Sequence, residues 1–314
     1  MDLNKAIQGF LITKDTELSP RTSALYRRYL LNFSDYLGNP DVLNVSENQL
    51  SEFMNYLKNE YIPSRNNNTE LPLSNASIDN YWKAIRSFFT WATETLSIDK
   101  RPDINLKRPK VTKPEIVPFT KDQIDKIMYS CTWTKEAETS ARKSFRMKRP
   151  TADRDKAIVF IFLDTGIRLG EFCRIKYKDI TLETGEIRIQ PYSTGIKSKP
   201  RTVFLGKAAK KALWYYLTKQ DTEYHNSDLL FNVSDRTVQS LFVRLSERTG
   251  IHVHAHKFRH TFAIQYLRNG GDVFTLKRQL GHSSLKMVMY YLALAESDDM
   301  EGHRIASPVD RWKL

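Results

Sequence analysis

The chain has 314 residues, 40% of them hydrophobic, which is enough for about two ordinary globular domains. Its formal net charge of +13 makes a polyanion the first partner to consider, with nucleic acid ahead of an acidic membrane surface. The two cysteines exclude a disulfide framework, and the longest wholly apolar run, Ala157 to Leu163, is far shorter than the ~20 residues of a membrane span.

The N-terminal third of the chain carries recognisable helix start signals. Ser19 and Pro20 supply an N-cap and a first-turn proline for an amphipathic stretch that stops at Gly38. Ser46 and Gln49 form a capping box ahead of a second apolar stripe. These signals predict two amphipathic helices in this region.

A further helix is expected to begin at Ser77. Because the apolar stripes of these helices can be buried only against one another, we predict a helical domain over residues 1–105. Residues 106–118 follow as a linker in which proline recurs and basic residues outnumber acidic ones. Residues 119–314 then form a second domain with its C-terminal tail.

The second domain mixes helical and strand signals. Thr120 and Gln123 form another capping box, and residues 186–190 and 202–205 read as two strands of a β-hairpin. The predicted fold class is therefore mainly α with a small β-hairpin or sheet, an α+β fold. Residues 135–150 form a basic insertion, which we interpret either as a solvated loop or as a loop that contacts phosphates.

Three short segments of the second domain concentrate residues suited to holding a phosphodiester. Arg168 precedes Glu171 by one helical turn, so the carboxylate could orient the guanidinium, although a surface ion pair has the same spacing. His256 and Arg259 lie three residues apart on one helix face, and His282 follows a glycine near two tyrosines.

The histidine-rich segment allows a different interpretation. His252, His254, His256 and His260 could form a metal site, because alternate residues of a strand share a face and imidazole is a common ligand. No carboxylate or thiolate partner is evident nearby. Core packing or helix capping is the simpler explanation for His252 and His254.

Four motifs in one order resemble the tyrosine recombinase family, also called phage-type integrases. They are TGIRLGE, a hairpin containing IKSKPRTVFL, HKFRH, and LGH followed by a tyrosine nine residues later. The stretch SPRTSALYRRYLLNFSDYL is similar to the family's helical core-binding domain. The resemblance thus implies a core-binding domain joined to a tyrosine-recombinase catalytic domain.

The resemblance implies catalytic positions at Arg168, Lys197, His256, Arg259, His282 and Tyr291. By this resemblance the two arginines bind the scissile phosphate and the tyrosine is the nucleophile. Lys199 remains an alternative to Lys197, because the turn departs from the family's usual dipeptide, and His260 is a candidate accessory residue.

Helical periodicity bears on which of two adjacent tyrosines attacks. A buried stripe is predicted from Leu285, Val288, Met289 and Leu292. This stripe places Tyr291 at the boundary of the buried face and Tyr290 farthest outward. A boundary position suits a nucleophile that must reach DNA and also remain near the arginines.

The expected function is site-specific DNA recombination through a 3′-phosphotyrosyl intermediate, for integration, excision or resolution of a DNA element. The resemblance implies no metal or nucleotide cofactor, double-stranded DNA with specific recombination sites as partner, and a homotetramer on two sites. It also implies a tail after Tyr291 that docks on a neighbouring subunit, with an intramolecular cap as the alternative. We expect no membrane partner and a cytoplasmic location in a bacterial, archaeal or viral system. The alternatives are a type IB topoisomerase-like enzyme and a catalytically inactive DNA-binding protein.

Overall fold

The chain is mainly helical and forms two compact units, Met1–Pro114 and Glu115–Leu314. The computed structural model describes residues 1–64, 70–98, 100–112, 115–139, 142–191, 200–220 and 225–295. Antiparallel strands occur in the second unit, which confirms the predicted α+β class. Within the described ranges, no helix combines the length and apolar character needed to cross a membrane.

In its described residues the first unit contains the helices α1 (Leu3–Lys14), α2 (Pro20–Leu37), α3 (Glu47–Asn59) and α4 (Asn75–Leu96). The helix starts predicted at Ser19 and Ser46 are confirmed, and the capping box between Ser46 and Gln49 is formed. Helix α2 ends at Leu37 and is capped by Gly38, whose φ of 74° is a left-handed conformation that glycine adopts without strain.

The predicted start of α4 at Ser77 is wrong by one turn. The N-cap is Ser74, which has extended backbone and whose hydroxyl accepts the backbone N–H of Ser77 at 3.2 Å. Ser77 therefore lies inside the first turn and its own hydroxyl pairs with that of Ser74 at 3.0 Å. Either serine could serve as an N-cap, so the sequence correctly predicted a capped helix start but assigned the cap to Ser77 and not to Ser74.

Aromatic rings fill the core of the first unit. Phe33 packs on Phe53 with ring centroids 5.1 Å apart, and Phe10 meets Phe88 edge-on at 5.7 Å. The first contact joins α2 to α3, and the second joins α1 to α4. The apolar stripes are thus buried against one another.

The chain beyond α4 remains attached to that helix through polar contacts. Trp82 donates its indole N–H to the carbonyl of Leu106 at 3.0 Å. Arg108 makes two hydrogen bonds to Asp79, at 2.7 and 3.1 Å, and its guanidinium also lies over the Trp82 ring. These bonds hold residues 106–108 against α4.

The second unit combines helices with short strands. Its described residues contain α5 (Lys121–Thr132), β1 (Ala137–Thr139), β2 (Arg142–Phe145), α6 (Ala152–Thr165), α7 (Leu169–Phe172), β3 (Ile180–Thr181), β4 (Glu186–Ile189), β5 (Arg201–Phe204), α8 (Lys207–Thr218), α9 (Asp235–Thr249), α10 (Ala255–Arg268), α11 (Val273–Leu280) and α12 (Lys286–Ala295). The capping box predicted at Thr120 and Gln123 begins α5.

The predicted hairpin is present as β4 and β5, which pair antiparallel with Ile187 opposite Val203. A third strand, β3, was missed because two residues are too few to show alternation. The basic insertion contains the antiparallel pair β1 and β2, where the sequence indicated only a loop. Backbone pairing forms these strands although their polar residues carry no alternating apolar signal.

Two apolar clusters are found among the described residues of the second unit. Helix α6 supplies Ile158, Ile161 and Phe162 to the larger cluster. The smaller cluster joins α10, α11 and α12, and Leu280 and Val288 lie within it. The C-terminal end of α6 and these three helices carry the candidate site described below.

We expect Ser74→Ala to lower the free energy of unfolding by ~1 kcal/mol, because the first turn of α4 loses its side-chain cap. Ser77→Ala, the matched control, removes no cap and should cost ~0.5 kcal/mol or less. Urea unfolding followed by tryptophan fluorescence measures both, since Trp82 and Trp91 lie on α4. A larger loss for Ser77→Ala would contradict the observed helix start.

Candidate active site

A buried arginine lies at the centre of the site. Arg259, on α10, is 3% exposed. Its guanidinium donates to the carbonyl of Gly166 at 2.8 Å and to the carbonyl of Leu280 at 2.6 Å, and lies 3.1 Å from Nε2 of His282. One side chain therefore joins the segment before Arg168 to the segment before His282.

The partners of Arg259 explain how a buried cation is tolerated. Gly166 caps the C-terminus of α6 and Leu280 ends α11, so both carbonyls lie at the negative end of a helix. Gly166 has a φ of 58°, and a Cβ there would lie 2.6 Å from the Phe262 ring, so glycine is needed. Burial and neighbouring arginines lower the pKa of Arg259 to about 9, which leaves the group cationic at neutral pH.

Arg168 is the more accessible arginine of the site. Its side chain is 33% exposed and donates to Glu171 at 3.1 Å, whereas the Glu171 side chain is only 4% exposed. Burial favours a neutral Glu171, but Arg201 and Arg168 outweigh it and lower the pKa of this carboxyl to about 2. The pair predicted from the sequence is present, and the alternative of a surface ion pair is wrong because the carboxylate is buried.

Arg201 is a site residue that the sequence analysis missed. It forms two hydrogen bonds to Glu171, at 3.0 and 2.7 Å. The alternation of side chains along β5 could have indicated a buried position, since Arg201 lies on the same face as buried Val203. Because the segment is rich in basic residues, its composition favours a position in solvent for Arg201.

The histidines near α10 have different roles. His254 is the N-cap and accepts the backbone N–H of Lys257, as the capping interpretation predicted, while His252 and His256 are exposed. In the part of the chain that the structure describes, no three His, Cys, Asp or Glu side chains are grouped to hold a metal ion. These histidines therefore do not form the metal site considered from the sequence.

Tyr291 lies inside the protein and not at the boundary that helical periodicity predicted. It is 1% exposed, whereas Met289, expected in the buried stripe, is 51% exposed and Tyr290 is 37% exposed. Helix α12 is rotated so that Val288 and Tyr291 face α10. The polar hydroxyl explains the difference, since Tyr291 Oη lies 2.8 Å from Nδ1 of His260.

The pKa values of this pair describe a neutral resting state. Burial raises the pKa of Tyr291, against the opposing effect of Arg259 and Arg168. Burial and the neighbouring histidines lower the pKa of His260 to about 4. The phenol is thus protonated and the imidazole neutral at pH 7, so the hydroxyl donates to Nδ1 when the ring proton is on Nε2.

His282 completes the group from the turn after α11. Its ring centroid is 6.4 Å from that of Tyr291, and burial and the adjacent arginines lower the pKa of His282 to about 4. The structure thus brings Arg168, His256, Arg259, His282 and Tyr291 into one region. Lys197, its alternative Lys199 and the tail from residue 296 lie outside the described residues.

Guanidiniums, neutral imidazoles and a phenol meet in one site, and this set of groups is suited to an enzyme that binds a phosphodiester and acts on it. A model of the phage integrase family matches residues 119–298, and a model of the phage integrase SAM-like domain matches residues 2–106. The chain therefore belongs to the phage integrase family.

Two curated relatives align along most of the chain. Tyrosine recombinase XerA of Saccharolobus solfataricus is 29% identical over 278 residues, which cover 88% of this chain and 84% of XerA. Tyrosine recombinase XerC of Oceanobacillus iheyensis is 26% identical over 303 residues, covering 92% and 91% of the two chains.

Solved structures share the fold. A Tn1549 transposon integrase in complex with circular intermediate DNA has a TM-score of 0.73 at 17% identity, covering 98% of this chain and 100% of the integrase. XerH recombinase bound to a palindromic difH substrate has a TM-score of 0.69 at 20% identity, covering 98% and 96% of the two chains.

These relatives confirm the function predicted from the sequence. The protein is a tyrosine recombinase, an enzyme of site-specific recombination that cleaves and religates DNA. They give no support to the topoisomerase-like or catalytically inactive alternatives.

The lowered pKa of His260 predicts a pH-dependent stability. The unfolded chain binds a proton at this histidine below about pH 6.5 but the folded chain does not, so the free energy of unfolding falls as pH decreases toward 4. The loss is at most ~1.4 kcal/mol per pH unit for one group. Urea unfolding at about pH 5 and 6.5 should show a shallower pH slope for His260→Gln than for the natural chain. Equal slopes would contradict a neutral, buried His260.

Proposed function

We propose that Arg168 and Arg259 hold the non-bridging oxygens of the scissile phosphate, that His282 donates a further hydrogen bond, and that Tyr291 is the nucleophile. The observation that carries this proposal is the close grouping of these side chains around buried Arg259. Guanidiniums neutralise charge that develops on the phosphoryl oxygens in the transition state. A separate lysine then serves the leaving oxygen.

In the cleavage step, Oη of Tyr291 forms a bond to phosphorus as the bond from phosphorus to the 5′ oxygen breaks. The phenolic proton goes to a neutral histidine, and a proton from the hairpin lysine, Lys197 or Lys199, goes to the 5′ oxygen. The product is a 3′-phosphotyrosyl ester with a free 5′ hydroxyl. The reverse reaction with a different 5′ hydroxyl rejoins the strand, and the ester retains the energy that this step requires.

The identity of the proton acceptor is a choice between two histidines on α10. His256, the candidate from the sequence, is exposed on one side, and the loss of solvent on its other side together with nearby Arg259 and Arg168 lowers its pKa. His260 already binds the Tyr291 hydroxyl at 2.8 Å. We assign His260 to the resting hydrogen bond and His256 to the role of proton acceptor in the cleavage step.

The burial of Tyr291 requires a movement before cleavage. A hydroxyl on a side chain that is 1% exposed does not reach a phosphate in bound DNA. Attack therefore requires α12 to leave its packing against α10, which breaks the hydrogen bond to His260. The resting protein is in this way protected from uncontrolled strand cleavage.

The partner in this proposal is double-stranded DNA with specific recombination sites, bound by four copies of the chain on two sites. Supporting relatives include XerH, solved bound to its difH substrate, and a lambda integrase dimer bound to a COC′ core site. The proposed role is integration, excision or resolution of a DNA element in the cytoplasm of a bacterium, an archaeon or a virus-infected cell. Its XerA and XerC relatives come from an archaeon and a bacterium.

The nucleophile is tested with a suicide duplex nicked near the cut site. Tyr291→Phe should give no covalent protein–DNA adduct on a denaturing gel, because it lacks the attacking oxygen. Tyr290→Phe is the matched control, since the neighbouring ring is 37% exposed, and it should still give an adduct. An adduct from Tyr291→Phe with none from Tyr290→Phe would assign the attack to the other tyrosine.

The leaving-group lysine is tested with a substrate whose 5′ bridging oxygen is sulfur. A thiolate departs without protonation, so this substrate should restore cleavage to Lys197→Ala. Lys199→Ala is the control and should cleave the natural substrate at a rate near that of the parent chain. Rescue of Lys199→Ala alone would assign the general acid to Lys199.

A further inference from the structure

Arg201 uses its whole guanidinium fork inside the protein. Its Nη1 and Nη2 donate to the two carboxylate oxygens of Glu171 at 3.0 and 2.7 Å, and its Nε donates to the carbonyl of Gln279 at 2.6 Å. The side chain is 6% exposed. A lysine in its place could not serve three acceptors in this planar arrangement.

The two residues that accept from Arg201 are connected to Arg168 and to His282 of the proposed site. Glu171 also accepts from Arg168, at 3.1 Å. Gln279 lies in the last turn of α11, beside the residue whose carbonyl binds Arg259 and shortly before His282. A Cβ on Gly281 would lie 3.2 Å from Arg201, so the arginine packs directly on the turn that carries His282.

The ion pair between Arg201 and Glu171 affects phosphate binding through the charge balance of the site. Arg168, Arg201 and Glu171 together carry one net positive charge, whereas Arg168 and Glu171 alone carry none. The Glu171 side chain is 4% exposed, and a buried carboxylate without Arg201 would draw the Arg168 guanidinium toward itself. Arg201 thus leaves Arg168 available to an anionic ligand.

We infer that Arg201 is a positioning residue for the recombination reaction, which holds Glu171 and the turn before His282 so that Arg168 and His282 meet the scissile phosphate. The inference rests on the proposed function. Arg201 itself touches neither DNA nor the reacting atoms in this role. It opens β5, so its side chain also joins the base of the hairpin to α11.

The test compares Arg201→Met and Arg201→Lys on three nicked duplexes, with a phosphodiester, a 5′ bridging phosphorothiolate or a methylphosphonate at the cut site. With the phosphodiester at saturating protein, both variants should form the covalent adduct ~100-fold more slowly, the size of effect seen when one transition-state donor is lost. The phosphorothiolate should leave this deficit unchanged, since leaving-group protonation is intact. The methylphosphonate, which lacks the negative charge, should reduce the deficit ~10-fold or more.

The matched control is Arg188→Met, an exposed arginine on β4 opposite Thr202, whose rate should stay within ~3-fold of the parent chain. Thermal unfolding and duplex binding are measured for every variant. A merely structural loss would slow all three substrates equally, which would overturn the inference. Rates near the parent value would also overturn the inference. Rescue by the phosphorothiolate alone would overturn it as well, because Arg201 would then support the hairpin lysine.

Failure of the proposed function gives a different result. If Tyr291→Phe forms the adduct as fast as the parent chain, the assigned nucleophile is wrong whatever Arg201 does. If the parent forms an adduct through Tyr291 and the methylphosphonate does not narrow the Arg201 deficit, only the positioning role is wrong. Should Arg201→Met fail to fold, Arg201→Lys, which keeps the charge but loses the fork, decides the question on the same substrates.

Discussion

The site depends on the burial of one positive charge. Arg259 is almost fully enclosed, and a cation in that position is stable only if its donors meet oxygen acceptors. The carbonyls that meet them end α6 and α11, where helix dipoles add a favourable negative potential. Because Gly166 and Gly281 turn the chain in left-handed conformations at these ends, Arg168 and His282 follow at once and lie beside the same guanidinium. One buried charge therefore sets the position of two neighbouring groups.

The other charges of the site are balanced so that each keeps a defined protonation state. Glu171 remains ionised despite burial, because Arg201 and Arg168 both bind it and lower the pKa of its carboxyl to about 2. His282 and His260 stay neutral, because burial and nearby cations oppose protonation. For Tyr291, burial outweighs the arginines and keeps the hydroxyl protonated. Once the ring leaves its buried position, burial no longer opposes ionisation of the phenol.

The net charge of +13 gives little indication of where the functional cations are. Arg201 donates only to interior acceptors, a backbone carbonyl and the Glu171 carboxylate. Arg168 keeps a third of its side chain exposed and can meet an anion. In the first unit, Arg108 binds Asp79 and covers Trp82, so even this basic segment partly serves packing. Total charge predicts the class of partner, whereas the contacts that each arginine makes in the fold decide its role.

The sequence by itself determined the helix starts at Ser19, Ser46 and Thr120, the hairpin, and the recombinase motifs, because caps, turns and periodicity act within about four residues. Only the tertiary structure decided that Tyr291 is buried and binds His260, a contact between residues 31 positions apart. It also decided that Arg201 shares Glu171 with Arg168, across 30 positions. Periodicity assigned Met289 to the core, since it weighs apolar character alone. A tyrosine hydroxyl that finds a buried imidazole overrides that preference, and no local pattern contains its partner.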